Sequence, residues 1–194
     1  ECDWSSDVCS SDLDMPVDNL LAVPVLVEYF KNLQLPDLTI VSPDAGGVER
    51  ARFLAKNMKA ALAIVDKRRP DANVSEVMNV IGEVEGRTAL VVDDMIDTAG
   101  TLVKTTDAIL QRGAKAVYAC CTHPVLSGLA VERIEKSNLT QVVVTNTIPL
   151  SEEGAQSGKI VMLSVAPLLA RAVQSIHEET SVSDLFLQGN NNGN

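Results

Sequence analysis

The spacing of apolar residues changes along this chain, and the changes mark its elements. Asp18-Asn19-Leu20-Leu21 opens a helical stretch that runs through Leu26 and Tyr29-Phe30 and ends before Pro36. Leu38 to Ser42 is an apolar strand, Asp44-Ala45-Gly46-Gly47 a turn, and Val48 to Lys59 a helix with Val48, Ala51, Leu54, Ala55 and Met58 at helical spacing. Leu62 to Val65 predicts a strand, Asp66 to Asn73 a charged mobile loop, and Val77 to Val84 a weakly alternating strand. Ala89 to Val92 is an unbroken apolar run, followed by a helix from about Thr101 with Gly113 just past its end. Ala116 to Cys121 predicts a strand, His123 to Gly128 a loop and Leu129 to Lys136 a helix. Val142 to Val144 and Ile160 to Leu163 predict strands. Ala166 to His177 predicts a helix with Leu168, Leu169, Ala172, Val173 and Ile176 on one side, and Ser181 to Phe186 is a short apolar terminus. Strands alternating with helices predict an α/β fold on a parallel sheet. Unbroken apolar strands are those buried on both faces.

Composition narrows the class. The chain has 194 residues, 46% of them hydrophobic and only 3% aromatic, so its core is built of Val, Leu, Ile and Ala. A net charge of −10 argues against nucleic acid or an anionic membrane as partner of the bulk surface. No apolar run approaches the roughly 18 residues of a membrane span, and no basic segment leads into one, so a cytoplasmic protein is expected. Of four cysteines, Cys120 and Cys121 are adjacent in a predicted strand. Their side chains therefore point to opposite faces, which suits two buried packing thiols and not a disulfide.

The most informative stretch is Ala89 to Thr101. Four apolar residues run into Asp93 and Asp94, and Asp97-Thr98-Ala99-Gly100-Thr101 then opens a helix. Parallel sheets bind ligands beyond the carboxyl ends of their strands. A small-residue loop at a helix start offers backbone N–H groups and a positive dipole end to a phosphate. Adjacent carboxylates repel each other unless a ligand or metal uses them. Acids beside a phosphate cradle fit a phosphorylated sugar, the acids on the ribose hydroxyls and the loop on the phosphate. Asp44 to Gly47 is a second strand-end turn, where two glycines permit positive φ and close approach of a diphosphate. Alone it is a common kind of turn. Lys67-Arg68-Arg69 is a cationic cluster that serves as a candidate lid only beside such loops. His123 follows a strand end and reads best as a hydrogen-bonded loop residue. His177, late in a helix, suits the helix dipole.

These motifs together resemble ribose-phosphate diphosphokinase, the phosphoribosyl pyrophosphate (PRPP) synthetase family. The resemblance runs from Met15 to Phe186 through Val41 to Gly47, Asp66 to Pro70, Val92 to Thr101 and Cys121 to Gly128. It implies transfer of the β,γ-diphosphate of ATP to the 1-hydroxyl of ribose 5-phosphate, giving PRPP and AMP, with magnesium as cofactor. It implies a phosphoribosyltransferase type I-like domain and a homo-oligomer in the full-length protein. By residue, it assigns the sugar phosphate to Asp97, Thr98, Ala99, Gly100 and Thr101, and the ribose hydroxyls with their metal to Asp93 and Asp94. It assigns magnesium to Asp44 beside the diphosphate turn with Gly46 and Gly47, transition-state charge to Lys67 and Arg69, and a regulatory phosphate or nucleotide site to Ser181, Ser183 and Phe186.

The family has two similar α/β domains, and the resemblance covers the second. The expected division is an adapter-like, non-native or disordered acidic segment at 1–14, a helical remnant leading from a missing N-terminal domain at 15–36, the C-terminal domain at 37–187 and a disordered tail at 188–194. A type I phosphoribosyltransferase shares the acid-acid-loop motif, but no segment here reads as a hood over a nucleobase. A non-catalytic synthetase-associated regulatory relative would lack the loop cations, and Lys67 and Arg69 are present.

Overall fold

In the computed structural model, which describes residues 17–68 and 77–187, strands and helices alternate except where three strands in the first half follow one another. In chain order these are α1 (Val23–Leu33), β1 (Leu38–Ser42), α2 (Val48–Met58), β2 (Ala61–Arg68), β3 (Val77–Ile81), β4 (Thr88–Ile96) and α3 (Gly100–Gln111). Then come β5 (Ala116–Pro124), α4 (Ala130–Lys136), β6 (Gln141–Thr145), α5 (Glu152–Gln156), β7 (Ile160–Leu163), α6 (Ala166–His177) and α7 (Asp184–Leu187). The strands form one sheet in the order β3-β2-β1-β4-β5-β6-β7. Every pairing is parallel except β2 with β3 at the edge, which is antiparallel and departs from the all-parallel expectation.

The apolar run in β4 explains why it lies in the middle. Ala89 and Val91 face one core, with Ile109, Val117, Cys121 and Ile134. Leu90 and Val92 face the other, with Leu26, Phe30, Leu54 and Cys120. Burying a Val, Leu, Ile or Phe side chain in this way contributes roughly 1.5–3 kcal/mol. The two cysteines divide between the faces, and burial pushes both thiols up, Cys121 to about 12. They are packing residues.

Several boundaries move for reasons of pairing. β2 runs on through Asp66, Lys67 and Arg68, which were expected in a loop, because β3 pairs with them at Asn79, Met78 and Val77. Residues 69–73 of that loop lie outside the described residues, as do 1–14 and 188–194. β4 and β5 support each other past the apolar run, Met95 beside His123 and Ile96 beside Pro124. Both acids and His123 therefore sit on strands, not in loops. Helix α5 has no periodic signal; the Ser151 hydroxyl caps it by accepting from the Gly154 N–H at 3.1 Å. The expected face of α6 is only half covered: Leu168 and Ala172 are buried while Leu169, Val173 and Ile176 are exposed. Among the described residues no helix is long and apolar enough to cross a membrane.

Candidate active site

The chain reverses its direction of sheet growth at one place. β2 is added on one side of β1, and β4 on the other. In an open parallel sheet such a switch leaves a crevice beyond the strand ends, between the two diverging connections. The turn after β1 and the loop after β4 are those connections.

The first is closed by its own side chains. Ser42 Oγ donates to the Asp44 carbonyl at 2.7 Å, and the Gly47 N–H donates to Asp44 Oδ1 at 2.9 Å. The expected positive φ is not what the glycines provide: Gly47 sits at φ −83°, and Gly46 is not in the left-handed region either. What Gly47 provides is room, since a Cβ there would lie 2.9 Å from Ser42 Oγ.

The second connection is held from outside. Ala99 takes the left-handed conformation at φ 58° and is buried, and no side chain caps the helix start that follows it. Ser127 donates its hydroxyl to the Asp97 carboxylate, and the Ser127 N–H donates to the Asp97 carbonyl at 3.1 Å. Arg133 Nη1 donates to the Thr98 carbonyl at 2.7 Å. A buried non-glycine residue at positive φ, fixed by neighbouring elements, is the kind of strain found at ligand sites. The start of α3 lies along the crevice, with Gly100, Thr101 and Leu102 among the residues that line it.

Between the connections stands the acid pair. The Asp94 N–H donates to Asp93 Oδ1 at 2.9 Å, and the Arg50 guanidinium reaches both carboxylates, at 3.5 Å from Asp93 and 2.9 Å from Asp94. Burial drives the Asp93 carboxyl up to about 7, assisted by the hydrogen bond and charge of Asp94. Desolvation works the same way on Asp94, but its hydrogen bond with Asp93 and the Arg50 charge outweigh it and hold that carboxyl below the usual range. One proton shared unequally between neighbouring acids is the expected result of like charges at this distance.

Asp44, Asp93, Asp97, Thr98, Ala99, Gly100 and Thr101 all line one cavity of about 250 Å³. Asp94 is not among its lining residues but neighbours Asp93 and shares Arg50 with it, and Gly46 and Gly47 belong to the Asp44 turn. Lys67 lies near the end of β2, paired by its backbone with Met78; Arg69 is outside the described residues. Ser181 and Ser183 are exposed beside α7 and are not part of the cavity wall, and Phe186 lies within α7. His123 Nδ1 contacts Thr147 Oγ1 at 3.0 Å, the bland role expected for it.

Among the described residues no three His, Cys, Asp or Glu side chains form a ready metal cage. Magnesium does not require one. It binds through one or two carboxylates, keeps waters, and takes its remaining ligands from substrate phosphates. The all-oxygen donors Asp44, Asp93 and Asp94 suit that ion.

Sequence reasoning missed Arg50, Ser127 and Arg133. Arg50 and Ser127 had a signal, since one follows the glycine turn by three residues and the other lies on the connection after the neighbouring strand β5. Arg133 had none, because its partner is 35 residues away.

Comparison with known proteins gives the family. The chain is 57% identical over 173 residues to the ribose-phosphate pyrophosphokinase of Bacillus caldolyticus, covering 89% of this chain and 55% of that protein. It is 57% identical over 184 residues to the enzyme of the same name from Bordetella parapertussis, covering 95% of this chain and 59% of that one. It thus spans little more than half the length of these relatives. The crystal structure of phosphoribosylpyrophosphate synthetase from Mycobacterium smegmatis superposes with a TM-score of 0.80 at 34% identity, covering 90% of this chain and 56% of that one. The family model described as phosphoribosyl synthetase-associated domain matches residues 56–187. That match takes in most of the chain, and the chain belongs to this family.

Proposed function

We propose that this chain carries the sugar-phosphate and diphosphate part of a ribose-phosphate pyrophosphokinase site. The longer protein would transfer the diphosphate of ATP to ribose 5-phosphate, giving PRPP and AMP. The observation that carries this is the single cavity shared by Asp44, Asp93 and Asp97 to Thr101. In this scheme the amides of residues 98–101 hold the 5-phosphate and Asp93 and Asp94 hold the ribose hydroxyls. That places the 1-hydroxyl toward the Asp44–Gly47 turn, where the diphosphate would lie. The hydroxyl oxygen attacks the β-phosphorus of ATP, the bond to the α-phosphate oxygen breaks, AMP leaves, and the hydroxyl proton passes to a nearby base or water. Asp44 and the acid pair would hold magnesium, which neutralises phosphate charge and orients the diphosphate. Lys67 and Arg69 would stabilise charge on the transferring group. Ser181, Ser183 and Phe186 would form part of a regulatory phosphate or nucleotide site. The working protein would be a cytoplasmic homo-oligomer.

The test is PRPP formation by the full-length gene product carrying Asp93→Asn with Asp94→Asn. A loss of turnover on the order of a hundredfold or more, with an unchanged fold by circular dichroism, is the expected outcome. Near-normal turnover would refute the assignment.

A further inference from the structure

Arg50 has no part in that scheme, yet it is the most connected cation of the site. It lies in the first turn of α2, three residues after Gly47. Its guanidinium spans from the turn to β4, one nitrogen 2.9 Å from Asp94 Oδ2 and the other 3.5 Å from Asp93 Oδ1. Gly47 lies beside it. A Cβ at Gly47 would lie 3.5 Å from Arg50 Nη1 and 3.7 Å from Asp44 Oδ1, so the guanidinium and the Asp44 carboxylate border the same vacant spot. One cation thus links the start of α2 to the acid pair near the end of β4.

We propose that Arg50 is a positioning residue, the resident counter-cation of the acid pair, which must give way before a divalent cation can use both carboxylates. The proposal rests on the assignment of Asp93 and Asp94 as ligand-holding acids. Two adjacent carboxylates on one strand repel each other once both are ionised, and a nearby positive charge relieves that repulsion. The Arg50 guanidinium supplies that charge, presenting separate N–H donors to each acid. Arg50 and Asp93 are each 34% exposed and Asp94 is 59% exposed, so the hold is weak enough to be displaced.

The test is Mn²⁺ binding to the 194-residue chain without substrate, read from the electron paramagnetic resonance of free Mn²⁺. Arg50→Gln should tighten Mn²⁺ binding about two- to thirtyfold, the span that two partly exposed ion pairs support. Arg50→Lys keeps the charge and should stay close to the unmodified chain. Adding Asp93→Asn to Arg50→Gln should abolish the gain. Thermal unfolding of each variant checks that it is folded. Unchanged or weaker Mn²⁺ binding in Arg50→Gln overturns the proposal, as does a gain that survives Asp93→Asn or that appears equally in Arg50→Lys. Failure of ribose 5-phosphate to bind, with this Mn²⁺ pattern intact, would sink the functional assignment alone. An unmoved Mn²⁺ affinity with ribose 5-phosphate bound normally would sink the Arg50 role alone.

Discussion

The turn after β1 and the loop after β4 leave neighbouring parallel strands, and each leads into a helix with no side-chain cap. They are held in opposite ways. Residues 44–47 close on themselves through Ser42 and Asp44, with ordinary backbone angles at Gly47. Residues 97–99 carry a left-handed alanine and depend on Ser127 and Arg133 from two other elements. A local turn is specified by a few adjacent residues. A buttressed loop is specified by the whole fold, and its shape can respond to changes far along the chain.

The difference predicts different failures. Gly47→Ala should do the most damage, because its Cβ would sit 2.9 Å from a hydroxyl already engaged in closing the turn. Overpacking of that kind costs about 1–3 kcal/mol, measurable by denaturant unfolding. Gly46→Ala meets only Asp44 Oδ1 at 3.4 Å and should change stability by less than about 0.5 kcal/mol. Equal losses in the two variants would show that the turn is not closed in this local way.

A smaller effect is expected at the buttress. Arg133→Ala removes the donor to the Thr98 carbonyl without touching the cavity wall. It should weaken ribose 5-phosphate binding about three- to tenfold in calorimetry, the low end for a charge-assisted bond from an exposed side chain. Thermal stability should hardly move. If affinity is unchanged, the loop keeps its shape without outside support.

The smallest effect lies in the acid pair between them. The Asp93 carboxyl is raised from 3.8 to about 7 on folding. Between those values the folded chain holds a proton that the unfolded chain has lost, so this group favours folding at low pH and its contribution is lost as pH rises through about 7. The lowered carboxyl of Asp94 acts the other way, but only below the ordinary carboxylate range. Asp93→Asn imitates the protonated acid. In chelator-treated buffer it should gain in melting temperature relative to the unmodified chain between pH 5 and pH 8. Parallel pH profiles would contradict the shared-proton description.

Much of this was legible before any coordinates. β1 and α6 fall at the expected residues, and the apolar run before Asp93 and Asp94 is a buried strand. Those features are written in local periodicity and composition. The length of β2 was not, because its last three residues become a strand only when β3 pairs with them. The acids appeared to follow a strand, whereas β5 carries the ladder past them. The stripe on α6 was legible as a pattern, but which half of it finds a neighbour is a tertiary fact. Arg133 is an ordinary surface cation in the sequence, and only the folded chain gives it the Thr98 carbonyl as a partner.

The central claim is that residues 97–101 and the acid pair form one sugar-phosphate site. It is tested most directly by following the backbone amides of the ¹⁵N-labelled chain by NMR during titration with ribose 5-phosphate, with ribose as the control. The expected result is saturable shifts centred on Thr98 to Leu102 and on Asp93 and Asp94, with ribose alone producing little change. Absence of saturable shifts at these amides, or shifts centred on another part of the sheet, would contradict the account.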